Sequence, residues 1–380
     1  MNIPLGEPAL LGNEARYLAE CVETGMVSSI GGFVTRFELE FADLVGAEYA
    51  VACSTGTAAL HVALRLVGVE RGADVLVSDL TFIASVNAVA YLGARPVLVD
   101  ADPRTWNLDP GLVSAELDRR RIAGEPMPAA IEVVHVLGQP ADIEPIVAVA
   151  ERYAVPVIED AAEALGARYV GGPLDRRSVG TVGRIGAFSF NGNKILTTGG
   201  GGMVVTDDKE LADRARHLVT QAKIPGIGYL HDEIGYNYRL TNIAAALGVA
   251  QLEQLPGFVR RKSEIARRYD AAFSGVPGLT CPPRLPWADA SYWLYSILCG
   301  QSRTGSATRD LILDRLRSAE VDARPLWRPL HRQPPYADAR RLGGPVSDDL
   351  FDRGISLPSS VSLTVADQDF VIRTVLEVLA

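Results

Sequence analysis

The strongest constraint on the fold is an alternation of short β-branched runs and helical stretches between residues 47 and 205. Amphipathic stretches at 58–67 and 145–153 are predicted helices. The runs are predicted strands, at residues 48–52, 74–77, 95–99, 130–136, 155–158, 185–190 and 203–206. This alternation predicts an α/β fold with helices on both faces of a mostly parallel central sheet. Ligands of such sheets bind at the carboxyl ends of the strands, so the residues that follow each run are candidate site residues.

The pattern changes in the second half of the chain. Long helices are predicted at 208–219 and 239–272, the second interrupted by Pro256 and Gly257. The segment after about residue 275 is rich in proline and contains one clear predicted helix at 306–319. We therefore predict a large domain at 1–255 and a smaller C-terminal α/β domain at 256–380 that closes over it.

Composition excludes several classes of protein. The formal net charge of −9 argues against a nucleic-acid partner, although backbone N–H groups can still bind an anionic small molecule. The four cysteines have no metal-ligand spacing, so we expect free thiols in a reducing compartment and no metal site. The N-terminal segment lacks the pattern of a signal peptide, and no run of about 18 apolar residues predicts a membrane span. We therefore expect a cytoplasmic protein.

A turn of small residues at 53–60 joins a predicted strand to a predicted helix. Its glycine, Gly56, and the neighbouring hydroxyl groups would let backbone N–H groups at a helix N-terminus approach a phosphate. The alternative is simple capping, because serine and threonine are favoured N-caps without any ligand. A second glycine-rich turn, at 199–202, is interpreted as a place where the backbone passes close to a cofactor or a neighbouring chain.

An acidic pair, Glu159 and Asp160, follows the predicted strand at 155–158. In a pyridoxal enzyme an aspartate at this place pairs with the pyridine nitrogen and keeps it protonated. A protonated ring is the better electron sink for transamination. The alternative interpretation is an aspartate that caps a helix or lies on the surface.

Lysine is scarce, since of 37 lysines and arginines only four are lysines: Lys194, Lys209, Lys223 and Lys262. Arginine stays protonated and is a poor Schiff-base former, so amine chemistry would fall to these four. Lys209 and Lys262 lie in polar stretches, where a solvated ammonium group is expected. Lys194 follows the predicted strand at 185–190 and has small and apolar neighbours, a setting that favours a desolvated, nucleophilic amine. The alternative is a surface charge.

Six segments resemble, in order and spacing, the DegT/DnrJ/EryC1/StrS family of sugar aminotransferases, which are pyridoxal-phosphate-dependent transferases of fold type I. The resemblance covers nearly the whole chain. The segments are Gly25-Met-Val-Ser-Ser-Ile-Gly-Gly-Phe, Ser54-Thr-Gly-Thr-Ala-Ala-Leu, Asp79-Leu-Thr-Phe-Ile-Ala-Ser, Glu159-Asp-Ala-Ala-Glu-Ala-Leu-Gly, Ser189-Phe-Asn-Gly-Asn-Lys and Gly235-Tyr-Asn-Tyr-Arg-Leu-Thr-Asn.

The resemblance implies a role for particular residues. Pyridoxal 5'-phosphate would be the cofactor, with Lys194 as its Schiff-base lysine and Asp160 as the partner of its ring nitrogen. The remaining cofactor-binding residues would be Gly56, Thr57 and Ser189 at the phosphate, Phe82 on the ring face, Glu163 near the phenolic oxygen, where many relatives have glutamine or histidine, and Asn237 at the phosphate of the neighbouring subunit. Ser29 and His331 are similar to positions near the substrate, with a structural histidine as the alternative for His331.

The resemblance also implies a reaction and its partners. A nucleotide-linked keto sugar would receive the amino group of L-glutamate in a homodimer with shared active sites. Glu163, with segments 220–223 and 324–327, is similar to the branch that aminates C4 of 4-keto-6-deoxyhexoses. The alternatives are a 3-keto sugar or a keto-cyclitol as substrate, and a cofactor-binding regulator without turnover. The presence of both Lys194 and Asp160 argues against a regulator. Some relatives carry histidine in place of this lysine and dehydrate sugars, so Lys194 also argues against a dehydratase.

Overall fold

The computed structural model describes residues 2–226, 228–300 and 305–379 of the 380-residue chain. Its strands are short, as is usual for an α/β protein. In chain order the strands are β1 (Tyr49–Cys53), β2 (Asp74–Ser78), β3 (Arg95–Val99), β4 (Ala130–Val134), β5 (Val157–Asp160), β6 (Arg168–Tyr169), β7 (Ile185–Ser189), β8 (Gly202–Thr206), β9 (Leu279–Thr280), β10 (Ala288–Asp289), β11 (Tyr295–Cys299), β12 (Arg324–Pro325), β13 (Arg340–Leu342) and β14 (Gly354–Leu357).

The helices are α1 (Glu14–Glu23), α2 (Gly32–Val45), α3 (Gly56–Leu66), α4 (Ala84–Tyr91), α5 (Pro110–Ala123), α6 (Ile143–Arg152), α7 (Lys209–Val219), α8 (Asn242–Leu252), α9 (Leu255–Phe273), α10 (Gly305–Ser318), α11 (Val346–Arg353) and α12 (Val365–Glu377). The helices that have a predicted position, α3 and α6 to α10, lie close to that position. Pro256 does not interrupt a helix but lies in the first turn of α9, where the N–H group that proline lacks has no partner in any case. Within the described ranges, none of the helices is long and apolar enough to span a bilayer.

Eight strands form the central sheet, in the order β1-β8-β7-β5-β4-β2-β3-β13. Neighbouring strands from β7 to β13 are parallel, and β8 runs antiparallel to both β1 and β7. The predicted α/β fold with a mostly parallel sheet is therefore confirmed. As a consequence of this topology, β1, β2, β4, β5 and β7 all end at the same edge of the sheet.

A second, antiparallel sheet has the order β12-β14-β11-β9 and belongs to the C-terminal part of the chain. The two parts are connected at places that the sequence does not indicate. Strand β13 adds an edge to the central sheet by pairing with β3, and Ile3 forms a bridge with Val321. A domain boundary at 255/256, just where α9 begins, stays a prediction.

Strand β7 shows how the sheet positions the lysine loop. Phe188 and Phe190 are buried and pack edge-on against Phe41, with ring centroids 5.0 and 5.3 Å apart. Because side chains alternate along a strand, Ser189, which lies between these two phenylalanines, points to the opposite face of the sheet. The two phenylalanines therefore fix the register of the strand from which the loop to Lys194 departs.

Glu132, in the middle of β4, is a fully buried acid inside the central sheet. Its partners in the strand register are the apolar residues Val77 of β2 and Ile158 of β5. Neither oxygen of its carboxyl group has a hydrogen-bond partner within the described part of the chain. Burial raises the pKa of Glu132 well above its usual range, and the negative charge of Asp160 adds to the rise. Burial therefore favours the protonated, uncharged form of Glu132.

We expect Glu132→Gln to flatten the dependence of stability on pH. Above the unfolded pKa of about 4.5, the native protein keeps a proton that the unfolded chain has released. As the pH rises, the free energy of unfolding of the wild type should therefore fall relative to that of the variant, by up to about 1.4 kcal/mol per pH unit. Urea unfolding of the cofactor-free protein from about pH 5 to about pH 8 measures this. Glu151→Gln, at an exposed glutamate of α6, is the control, and equal pH dependence in wild type and Glu132→Gln would contradict the expectation.

Candidate active site

A cavity of about 260 Å³ opens at the carboxyl edge of the central sheet. Its wall includes Gly200 and Gly201 of the glycine turn that was predicted to approach a cofactor. Most residues that the sequence analysis selected also line it: Gly56, Thr57, Phe82, Asp160, Glu163, Ser189 and Lys194. They come from the ends of β1, β2, β5 and β7 and from the segments that follow, which is where α/β proteins bind ligands. The sequence motifs are thus neighbours in space.

The N-terminus of α3 forms one end of the cavity. Thr55 caps this helix, because its hydroxyl accepts a hydrogen bond from the N–H group of Ala58 at 3.0 Å. The N–H groups of Gly56 and Thr57 belong to the first turn and have no acceptor within the helix. A Cβ atom on Gly56 would lie 2.6 Å from the Cβ atom of Ser189. Glycine at position 56 therefore lets the N-terminus of α3 lie close to the end of β7. Because Thr55 caps only the N–H group of Ala58, the N–H groups of Gly56 and Thr57 can bind an anion.

Asp160, the last residue of β5, is almost fully buried beside the cavity. Its carboxylate accepts hydrogen bonds from the hydroxyl of Ser85 at 2.8 Å and from the N–H group of Ala162 at 3.1 Å. Burial raises the pKa of Asp160, whereas these hydrogen bonds and the positive charge of Lys194 lower it, with a net rise. Its burial excludes the surface interpretation. A cation on the cavity side would compensate this carboxylate.

Glu159 faces away from Asp160, because successive side chains of a strand point to opposite faces. Its carboxylate accepts three backbone N–H groups of the 180–183 turn at 2.6–2.8 Å and lies 2.9 Å from Nε2 of His135. The N–H group of Ala141 donates to Nδ1 of His135, so the ring proton is on Nε2 and is donated to Glu159. Burial alone would raise the pKa of Glu159, but these hydrogen bonds lower it overall. Glu159 therefore fixes a turn, and Asp160 is the acid that faces the cavity.

The amine of Lys194 lies inside the cavity wall, and its side chain is only 13% exposed. Burial lowers the pKa of Lys194, while the negative charges of Glu163 and Asp160 raise it in part. Its Nζ is 3.9 Å from Oε1 of Glu163 and 3.8 Å from the ring centroid of Trp293. The interpretation of Lys194 as a solvated surface charge is therefore excluded. A lysine with a lowered pKa has more of its amine in the nucleophilic form.

Glu163 is the second acid of the cavity. Its Oε2 accepts the N–H group of Leu137 at 2.7 Å, which leaves Oε1 on the side of Lys194. Burial raises the pKa of Glu163, and the charge of Lys194 lowers it in part, with a net rise. Glu163 can therefore hold a proton within a short distance of the lysine amine.

Among the other lysines, one expectation was wrong. Lys209 and Lys223 are exposed, and Lys209 pairs with Asp213, as its polar neighbours predicted. Lys262, in contrast, is buried, and its Nζ donates to the backbone oxygen of Trp293 at 2.8 Å. The physical reason is helical periodicity, because Lys262 lies on the buried stripe of α9. The members of that stripe are Leu255, Phe258, Lys262, Ile265, Ala266, Tyr269 and Phe273.

Sequence reasoning missed three residues that complete the site. Trp293 and Trp327 line the cavity, with their rings stacked at 6.2 Å, and Trp327 lies 5.2 Å from Phe82. Ser85 donates to Asp160. Ser85 and Trp327 occur in segments that carry the family resemblance, so a signal for them existed. Trp293 has no such signal, since only the tertiary fold brings it to Lys194.

Three predicted residues lie outside this cavity in the single chain. Asn237 is exposed and accepts a hydrogen bond from the side-chain amide of Gln221 at 2.9 Å. Ser29 is partly exposed in the segment before α2. The ring of His331 lies between Asp79, at 2.6 Å, and Asp348, at 3.1 Å, an arrangement typical of a structural histidine. The roles of these three residues at cofactor or substrate stay predictions.

The groups of this cavity fit pyridoxal 5'-phosphate. Free N–H groups at the start of α3 suit its phosphate, the buried carboxylate of Asp160 suits its protonated ring nitrogen, and the amine of Lys194 suits its aldehyde. With the α/β fold, they define a pyridoxal-phosphate-dependent aminotransferase.

The chain belongs to the DegT/DnrJ/EryC1/StrS aminotransferase family, whose model matches residues 9–376. It is 40% identical over 378 residues to the GDP-perosamine synthase of Caulobacter vibrioides, covering 99% of this chain and 98% of the relative. It is 41% identical over 362 residues to the GDP-perosamine synthase of Escherichia coli O157:H7, covering 95% and 94%. The solved structure of the aminotransferase TlmJ from Streptoalloteichus hindustanus is similar with a TM-score of 0.88 and 32% identity, over 99% and 98% of the two chains. The family resemblance and the predicted cofactor are therefore confirmed.

We expect Gly56→Ala to weaken the binding of pyridoxal phosphate by about 10- to 100-fold. The new methyl group would press on Ser189 and move the N–H groups of α3, at a cost of roughly 1–3 kcal/mol for overpacking. Titration of the cofactor-free protein with pyridoxal phosphate, followed by absorbance, measures the dissociation constant. Gly257→Ala is the matched control, because a Cβ atom there comes no closer than 3.8 Å to its nearest neighbour. Wild-type affinity in Gly56→Ala would show that the close approach does not matter.

Proposed function

We propose that this aminotransferase transfers an amino group from L-glutamate to C4 of a 4-keto-6-deoxyhexose linked to guanosine diphosphate. The proposed substrate rests on 40–41% identity, over nearly the whole chain, with two enzymes named GDP-perosamine synthase. A third enzyme of that name, from Vibrio cholerae, is 37% identical. Perosamine carries its amino group at C4 of a 6-deoxyhexose, so forming it by transamination needs the 4-keto sugar. The free cysteines support a reducing compartment, and we place the activity in the cytoplasm.

The cavity residues have distinct parts in this proposal. The cofactor supplies an aldehyde that captures amines and a ring that accepts electrons from the carbon that bears the amino group. Lys194 would bind the aldehyde, and its Nζ is placed to carry a proton to and from the reacting carbon. Asp160 would keep the ring nitrogen protonated. Gly56, Thr57 and Ser189 would hold the phosphate, and Phe82 would lie against the ring.

Glu163 has a separate part beside Lys194. Its Oε1 is 3.9 Å from the amine, and burial raises its pKa, so this carboxyl group holds a proton more readily than an exposed glutamate does. We propose that Glu163 holds a proton for Lys194 at the cofactor's phenolic side. A cofactor-binding regulator without turnover would need neither this relay nor both Lys194 and Asp160.

A panel of substrates tests the proposed function. The enzyme with its cofactor is incubated with glutamate and 4-keto-6-deoxyhexoses linked to GDP, UDP or dTDP, together with a 3-keto nucleotide sugar and a keto-cyclitol. We expect the GDP-linked 4-keto sugar to have the highest kcat/KM, with the amino product detected by mass spectrometry. Lys194→Ala should form no product, whereas Lys209→Ala, at an exposed lysine, should retain activity. Preferred amination of a 3-keto sugar or a keto-cyclitol would replace the proposed substrate.

We also propose a homodimer in which each subunit completes the active site of the other. Two exposed segments carry apolar side chains: Met26, Val27 and Ile30 before α2, and Tyr229 and Ile234, which are 91% and 85% exposed, near Asn237. Exposed apolar clusters are typical of surfaces that a partner covers. Since Asn237 lies outside the cavity of its own chain, its proposed contact with a cofactor phosphate requires a second subunit.

Mixing two inactive variants tests the shared site. We expect Lys194→Ala and Asn237→Asp to be inactive alone, since the first lacks the amine and the second places a carboxylate against the phosphate. After subunit exchange, one site of each mixed dimer takes its lysine from one chain and its asparagine from the other, so activity should return. Native mass spectrometry verifies the exchange. If mixed dimers form and stay inactive, Asn237 acts within its own subunit or away from the cofactor.

A further inference from the structure

The segment 291–293 carries Trp293 to the Lys194 amine in a strained conformation. Tyr292 has a φ of 49°, in the left-handed region that residues other than glycine rarely adopt. Gly138 packs against this segment so closely that a Cβ atom on it would lie 2.9 Å from the backbone nitrogens of Tyr292 and Trp293. The N–H group of Ser291 donates to the oxygen of Gly138 at 3.0 Å. Strain of this kind persists only where the surrounding structure imposes it, and it is frequent at functional sites.

Two hydrogen bonds fix Trp293 itself. Its indole Nε1 donates to the backbone oxygen of Asn193, the residue before Lys194, at 2.7 Å. Its own backbone oxygen accepts from Nζ of Lys262 at 2.8 Å. The indole is therefore joined to the lysine loop on one side and to helix α9 on the other.

Lys262 is unusual in its own right. It is buried on α9, and within the described residues no ion pair to a carboxylate offsets its charge. Burial lowers the pKa of Lys262 to about 7. Burying an amine costs free energy unless the amine is hydrogen-bonded or paired with an opposite charge. The bond to the Trp293 oxygen is such a hydrogen bond, and it also fixes a segment that is otherwise strained.

We propose that Trp293 is a further active-site residue, which holds the Lys194 amine against its indole face, and that Lys262 is the positioning residue of Trp293. An aromatic face at 3.8 Å favours the protonated amine and so opposes the effect of burial on Lys194. The indole therefore helps to position the amine and adds to the effect of Glu163 and Asp160 on its proton affinity. This inference rests on Lys194 as the reactive amine, and it is independent of which sugar is aminated.

The proton affinity of Lys194 can be measured on the cofactor-free protein. Reductive methylation with formaldehyde and borohydride over a range of pH, followed by peptide mapping, gives the fraction of neutral amine at each lysine. We expect Trp293→Leu to increase the neutral fraction of Lys194 at neutral pH by about 2- to 5-fold, since the aromatic face is lost. Lys262→Met should change it in the same direction, because the indole loses its backbone support. Lys209→Met, at an exposed lysine, should leave Lys194 unchanged.

A double-mutant cycle separates a positioning role from a merely structural one. If Lys262 acts through Trp293, adding Lys262→Met to Trp293→Leu should change the Lys194 titration no further. In the loaded enzyme, Lys262→Met should lower kcat by about tenfold or more while KM for the sugar stays nearly constant, because misplacing a reacting group by a fraction of an ångström slows chemistry. Trp293→Met, which also removes the aromatic face and the bond to Asn193, replaces Trp293→Leu if that variant does not fold.

The outcomes are distinct. A Lys194 titration that is unchanged in Lys262→Met, or effects of the two substitutions that simply add, would overturn the proposal. Equal loss of thermal stability in all variants without a change at Lys194 would assign Lys262 to folding alone. The methylation experiment contains no sugar, so failure of the proposed substrate leaves its result intact.

Discussion

The buried carboxylate of Asp160 is the group on which the rest of the site depends. It ends β5 at the edge where seven of the eight strands of the central sheet finish, and there burial makes an uncompensated charge costly. Ser85 and the backbone of Ala162 each donate a hydrogen bond to the carboxylate, but neither compensates its negative charge. The ammonium form of Lys194, or the protonated ring nitrogen of the cofactor, could compensate that charge from the cavity side. The same carboxylate therefore attracts a positive charge on the cavity side, and its charge acts on the Lys194 amine.

Much of the fold could be predicted because its signals are local. Each strand of the central sheet up to β8 lies within two or three residues of its predicted position, and the motifs at Gly56, Asp160 and Lys194 each follow a strand directly. The family resemblance assigned Asp160 to the cofactor, but the strand pattern alone does not show which of Glu159 and Asp160 faces the cavity, because the predicted strand ended two residues early. A shift of that size is small along the chain, yet side-chain direction alternates with every residue.

The residues that could not be predicted depend on long-range packing. Trp293 reaches Lys194 only because segment 291–293 is held between Gly138 and α9. Lys262 was expected in water because its neighbours along the chain are polar, whereas its position on the helix surface puts it in the core. Strand β13 joins the central sheet from the C-terminal half, and nothing in three residues of sequence indicates that pairing. In each case the contacting residue is more than 30 positions away along the chain, and short motifs and helical or strand periodicity do not indicate contacts over such separations.

The lysine distribution has a consequence for self-modification by aldehydes. Free pyridoxal phosphate reacts with any accessible primary amine, so an enzyme that recruits it exposes its own surface to side reactions. Here the solvent-exposed lysines are Lys209, whose amine is engaged by Asp213, and Lys223, while arginines supply most of the positive charge. The guanidinium group stays protonated and does not compete for the aldehyde. The surface therefore remains charged while offering the reagent few targets other than the lysine in the cavity.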